Sequence, residues 1–141
     1  MYGFDLRADY SMCQDFTLHS VLSYVKGEDI TANGSLPEIP PLNGNIGLDY
    51  KIFERLSTQL TAEIYSAQND IAPFEISTPG YALFNFSIHT EPALIPGYRL
   101  RIFAGIENLL DKNYRDHLST LRGNITADPG RNFYIKFAAD F

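Results

Sequence analysis

A chain of 141 residues is long enough for one domain with a substantial core. Its formal charge of −6 and isoelectric point near 4.9 argue against nucleic acid as a partner, because phosphate binding needs a basic face. The longest stretch without Asp, Glu, Lys or Arg, residues 76–90, is broken by Pro79, Gly80 and Asn85, so no membrane-spanning helix is expected.

The apolar residues recur with a period of two, the signature of strands with one apolar face and one polar face. Tyr2, Phe4, Leu6, Ala8 and Tyr10 alternate with Gly3, Asp5, Arg7 and Asp9. After a short turn at 11–14, residues 15–26 place Phe16, Leu18, Leu22 and Tyr24 opposite Thr17, His19 and Ser23. A long loop follows over 27–42, where Asn33-Gly34 and Pro37, Pro40 and Pro41 speak against regular pairing. Ile46, Leu48, Tyr50 and Ile52 carry the next strand, a tight reversal occupies 53–56, and Leu60, Ala62 and Ile64 carry the strand over 57–67. A second loop spans about 68–79. The strand over 80–90 sets Ala82, Phe84, Phe86 and Ile88 against Asn85, Ser87 and His89. A turn near 91–97 leads to Tyr98, Leu100, Ile102, Ala104 and Ile106, which alternate with Arg99, Arg101, Gly105 and Glu107. The longest loop, 109–131, ends at the last strand, where Phe133, Ile135, Phe137, Ala139 and Phe141 share one face.

This amounts to an all-β chain, an antiparallel up-and-down meander of about seven strands. Several have the length that a tilted bilayer-crossing strand needs, about 9–11 residues. The mean hydropathy of −0.15 does not oppose this, because half of every such strand is polar. The connections alternate short and long, as they do in outer-membrane barrels, with short periplasmic turns and longer external loops. Seven strands cannot close a bacterial barrel, and an open edge cannot face lipid. The start, Met-Tyr-Gly-Phe-Asp-Leu-Arg, lacks the basic and apolar regions of an export signal. Both features lead to the expectation that the chain is the C-terminal piece of a larger barrel. The single cysteine, Cys13, excludes an internal disulfide framework.

Four motifs carry a family resemblance. Gly105-Ile106-Glu107-Asn108-Leu109-Leu110-Asp111-Lys112-Asn113-Tyr114 resembles the penultimate-strand signature of TonB-dependent outer-membrane receptors. Pro129-Gly130-Arg131 is similar to their lead into the last strand, which ends in an aromatic, here Phe141. Ile39-Pro40-Pro41 and Pro79-Gly80-Tyr81 resemble two of their strand openings. The resemblance implies that residues 1–141 form the C-terminal part of a roughly 22-stranded transmembrane β-barrel filled by a plug. It implies TonB-driven uptake of an iron-siderophore, cobalamin, glycan or similar scarce ligand across the bacterial outer membrane, with plug and TonB-contacting segment lying outside this chain. Implied partners are the rest of the barrel and plug, outer-membrane lipid, the TonB complex and the outer-membrane assembly machinery. Phe133, Ile135, Phe137 and Phe141 would be the closure and assembly signal. An isolated fragment is expected to oligomerise through its edge strands.

Within the motifs, Asn108 and Asp111 are turn formers that satisfy backbone amides where pairing stops. Tyr114 is expected at headgroup level with its hydroxyl wet. Pro129-Gly130 reverses the chain and Arg131 reaches the polar rim. Neither His19, His89 and His117 nor the carboxylates near them match a compact metal signature, and no nucleophile, paired-carboxylate or phosphate-loop pattern is present. No catalytic residue, metal or cofactor is therefore assigned. His117, with Arg122 nearby in the longest loop, is the candidate for external ligand contact. Two other readings share parts of the pattern: a passive porin or adhesin barrel, and a soluble β-sandwich or lipocalin-like carrier whose apolar faces would meet in one core.

Overall fold

In a computed structural model of the chain, residues 1–29, 34–90, 93–95, 98–119 and 126–140 are described. The strands are β1 (Tyr2–Ser11), β2 (Phe16–Lys26), β3 (Glu28–Asp29), β4 (Gly34–Ser35), β5 (Asn43–Phe53), β6 (Leu56–Tyr65), β7 (Tyr81–Thr90), β8 (Ala93–Ile95), β9 (Tyr98–Glu107) and β10 (Asn132–Asp140). The seven long strands form one antiparallel sheet in the order β1-β2-β5-β6-β7-β9-β10, so chain neighbours are sheet neighbours throughout. The longest has 11 residues and the shortest of these seven has 9, the span of a tilted strand through a bilayer. Connections 12–15, 54–55 and 91–97 lie at one end of the sheet, and connections 27–42, 66–80 and 108–131 at the other.

Two details differ from the sequence reading. The 27–42 loop does pair, since Glu28–Asp29 bonds with Gly34–Ser35 in a miniature hairpin. Pro37, Pro40 and Pro41 fall after it, where no ladder amide is needed. The 91–97 connection is likewise more than a turn, because β8 folds back along the start of β9. The reversal after β5 is as expected, with a bulge between Lys51 and Phe53.

The register aligns the apolar residues across the whole sheet. One ladder runs unbroken through Tyr10, Leu18, Leu48, Leu60, Phe86, Ile106 and Phe133, one residue from each long strand. Its neighbours on the opposite face are Thr17, Asp49, Gln59, Ser87, Gly105 and Tyr134. A slip of one residue in any strand would turn its apolar set to the polar side, so this pattern fixes the register.

Among the described residues, nothing packs on the apolar face. Phe133, Ile135 and Phe137 are 68%, 65% and 70% exposed, and Phe4, Leu6, Ile46 and Ile64 are exposed too. Buried aliphatic side chains among those described are few, Ile39, Ala72 and Leu83 with Pro41 beside them. A soluble sandwich would bury these faces in one core, so this arrangement corrects that alternative. Rings gather at both margins of the face. Phe16 stacks on Tyr50 at 4.3 Å beside Tyr10 near the short turns, and Phe4 lies 5.8 Å from Tyr24 near the long loops. Between them the face is aliphatic, through Leu6, Leu22, Ile46, Leu48 and Leu60.

Candidate functional site

The long loops fold over one end of the polar face. Ser66 N–H donates to Leu42 O, and Gln68 and Thr78 exchange backbone bonds of 2.9 and 3.1 Å. Gln68 Nε2 donates to Ile39 O at 2.8 Å, which joins the first loop to the second. Glu75, 8% exposed, is the junction of the group. Its Oε1 accepts from Glu38 N–H at 2.7 Å, and its Oε2 accepts from Ala72 N–H at 2.8 Å. Glu38 adopts φ 58°, a strained left-handed conformation for a residue with a side chain, and this bond helps to hold it. From the third loop comes His117, whose Nε2 lies 3.7 Å from Glu75 Oε1 and whose Nδ1 lies 3.3 Å from Thr78 Oγ1.

His117 is thus 2% exposed, wedged between loops and turned away from the surface, whereas external contact was the expectation. Burial with two polar neighbours explains its position. Arg122 lies outside the described residues, as does Phe141. Glu75, Gln68 and Thr78 carry no sequence signal that marks them, because their roles depend on which loops meet.

The signature after β9 is a built turn. Asn108, 3% exposed with φ 50°, donates from Nδ2 to Lys112 O at 2.8 Å and accepts Lys112 N–H on Oδ1 at 2.7 Å. Its own N–H donates to Asn85 Oδ1, and Asn85 Nδ2 donates to Glu63 Oε1 at 2.6 Å. Leu109 N–H donates to Phe84 O at 2.7 Å, continuing the β7 contact past the end of the strand. Asp111, φ 52°, accepts Arg131 N–H on Oδ1 at 2.9 Å, so the two ends of the longest loop are clamped together. A methyl at Gly130 would sit 2.9 Å from that same oxygen, which accounts for glycine after Pro129.

Tyr114 does not take the expected place at the lipid margin. Its ring lies 4.7 Å from Tyr81, which stacks on Tyr65 at 4.6 Å, and both partners stand on the polar face. Their ring faces and the half-buried setting outcompete a position at the rim. Burial pushes the Tyr114 phenol above its ordinary range, and Asp128 and Glu63 add to the shift. Tyr81 OH donates to Asp116 Oδ2 at 2.8 Å, while Asp116 N–H and Ser119 Oγ both donate to Asp128 Oδ2.

Beneath the loops, Glu63, Asn85, Glu107, Asn108, Tyr114 and Asn132, together with Leu83 and Pro129, border a recess of mixed polarity of about 310 Å³. Further along the same face, His19 bridges two carboxylates, with Nδ1 2.7 Å from Asp9 Oδ1 and Nε2 2.5 Å from Asp49 Oδ2. That bridge stitches β1, β2 and β5 together. His89 also stands on this face, 6.1 Å from the Phe103 ring. No group of three or more His, Cys, Asp or Glu side chains converges as a metal site among the described residues.

This end of the sheet is therefore a polar interior surface roofed by joined loops, with lipophilic side chains on the reverse. The sequence profile of the TonB dependent receptor-like β-barrel family matches residues 1–109. The chain belongs to the TonB-dependent receptor β-barrel family. Among relatives, the ferric enterobactin receptor PirA of Pseudomonas aeruginosa is 30% identical over 136 residues, covering 91% of this chain and 18% of that protein. Among solved structures, the copper transporter OprC superposes with a TM-score of 0.83 at 25% identity, over 96% of this chain and 22% of its own. The chain thus spans about a fifth of the length of these relatives.

Proposed function

We propose that residues 1–141 are the C-terminal barrel segment of a bacterial outer-membrane transporter that imports a scarce ligand, of the ferric-siderophore class, with TonB energy. The observation that carries the membrane part is the unbroken apolar ladder from Tyr10 to Phe133, bounded by aromatic rings at both margins and backed by a polar face. Lipid-facing barrel strands have this band and these girdles. The ligand class rests on the likeness to the ferric enterobactin receptor.

In this reading β1 and β10, the two margins of the sheet, pair with the remaining strands of the barrel, since unpaired amides have no place in lipid. The polar face lines the lumen against a plug, and the joined loops face the exterior. Phe133, Ile135, Phe137 and Phe141 supply closure and the assembly signal. Arg122, permanently charged and in the longest loop by sequence, is proposed for ligand contact. His117 holds the loops in place from within.

The likeness to OprC favours copper as the second reading. Deleting the complete receptor gene and measuring uptake of radiolabelled ferric siderophore and of copper tests both. Loss of TonB-dependent siderophore uptake is expected. Loss of copper uptake alone would shift the assignment to the second reading, and uptake independent of TonB would overturn active transport in favour of a passive pore.

A further inference from the structure

On the polar face of the sheet, His19 is held by a carboxylate on either side. Asp9 is its register partner on β1, and His19 Nδ1 lies 2.7 Å from Asp9 Oδ1. Its partner on β5 is Gly47, which has no side chain to interpose. Nε2 therefore reaches the next residue along that face, Asp49, at 2.5 Å from Oδ2. Arg7 extends the row, with Nε 3.1 Å from Asp9 Oδ2. Basic and acidic groups alternate from Arg7 through Asp9 and His19 to Asp49, across three strands.

Two hydrogen bonds need two protons. A neutral imidazole has one N–H, and an ionised carboxylate has none. With a single proton among the three groups, one arm of the bridge sets a lone pair against a lone pair. The bridge is complete only when the trio holds a second proton, which an imidazolium supplies. Arg7 is engaged by Asp9, and Thr17 and Val21 are the neighbours of His19 along its own strand on this face. Beyond them on the same face stand Asp5, Asp15 and Lys51, all exposed to solvent. Every residue of β1 is exposed, so buried packing does not hold this strand. Apart from the backbone ladder, its polar tie to β2 among the described residues is the bond between Asp9 and His19.

We propose that Asp9, His19 and Asp49 form a proton-operated fastener: with the second proton bound, side chains tie β1 to β2 and β5, and its release opens one arm. The trio lies on the polar face, where water delivers and removes that proton. Its contribution to stability is present where imidazole is charged and is lost as pH rises and the proton leaves. The fastener rests on the register of the sheet and not on the cargo, so uptake experiments that overturn the transport reading leave it standing.

The test is urea titration of the complete receptor folded into phosphatidylcholine vesicles, from about pH 6 to about pH 9, a range that brackets imidazole titration. Wild type is expected to exceed His19→Gln in urea midpoint at the acidic end, and that advantage should vanish towards the alkaline end. Asp49→Asn separates proton control from packing. Its amide can donate to Nε2 while Nδ1–H donates to Asp9, so a neutral ring makes both bonds. The advantage of Asp49→Asn over His19→Gln should therefore persist at both ends of the range. A difference between wild type and His19→Gln that does not change with pH, zero included, overturns the fastener. So does an Asp49→Asn profile that falls in step with that of wild type. If His19→Gln fails to fold, wild type and Asp49→Asn are compared directly, and parallel pH profiles overturn the proposal.

Discussion

The Asn108 side chain closes a ring with Lys112, giving its amide to that residue's carbonyl and receiving that residue's N–H in return. Few other side chains fit. The reciprocal pair needs an amide, and φ 50° is tolerated by asparagine far better than by most residues. Asn108→Ala leaves buried backbone groups unsatisfied and should cost about 1–3 kcal/mol. Asn108→Asp keeps the acceptor, loses the donor, and should fall between the two. Urea unfolding of the complete receptor measures the order; an alanine variant as stable as wild type would remove the turn's structural role.

Glu75 joins the long loops from a single carboxylate, through the N–H groups of Glu38 and Ala72 and the imidazole of His117. Glu75→Ala should therefore loosen all of them together. Limited proteolysis of receptor-bearing cells is expected to show new cuts in 27–42, 66–80 and 108–131 at once, with Glu54→Ala in an exposed short turn unchanged. Cuts confined to 66–80 would mean that the loops move separately.

Much of this was legible because the physical signal is local. Alternation of apolar and polar residues states a strand and its apolar side residue by residue, so Phe4, Leu18, Leu60 and Ile135 announce their face without a structure. Turn lengths state which end each connection occupies. The hairpin of β3 and β4 has two residues per strand, too few for any period. Tyr114 departs from its expected place for a related reason. A tyrosine near a strand end suits the lipid margin, as Tyr10 and Tyr50 do, yet the rings of Tyr81 and Tyr65 on the inner face bind it. Nothing in the neighbourhood of 114 announces those rings. His117 likewise reads as a loop residue available to ligand until Glu75 and Thr78 are brought against it. Strand faces are written in adjacent residues; loop interiors are written in contacts across dozens of residues.

Gly47 and Gly105 occupy equivalent inner-face positions in different strands and should answer differently to alanine. A methyl at Gly47 would meet nothing nearer than Thr61 Oγ1 at 3.7 Å, ordinary contact. At Gly105 it would fall 2.6 Å from the Tyr134 ring and 2.8 Å from Phe86 O. Tyr134 covers the bare backbone of Gly105, a pairing by which an aromatic compensates a strand glycine. Gly105→Ala should cost about 1–3 kcal/mol from overpacking, and Gly47→Ala less than about 0.5 kcal/mol. Thermal unfolding of the two variants gives the comparison, and equal losses would show that the Tyr134 ring yields freely.

The ladder makes the sharpest quantitative distinction between the two faces. Leu60 stands near the middle of β6, with Leu48 and Phe86 beside it on the outer face, and is 44% exposed in the isolated chain. On the membrane reading proposed above, that side chain is solvated by hydrocarbon, and Leu60→Arg would place a charge near the bilayer midplane at a cost of about 2–4 kcal/mol. Thr61, the next residue, points to the polar side opposite Asn85, where Thr61→Arg meets water and Glu63 nearby in sequence. Its cost should be below about 1 kcal/mol, and its effect should appear in ligand uptake instead. Denaturant titration of the complete receptor folded into phosphatidylcholine vesicles measures both. A water-exposed sheet face would give the reverse order, since there Leu60→Arg improves solvation, so the sign of the difference between adjacent residues decides which medium covers the ladder.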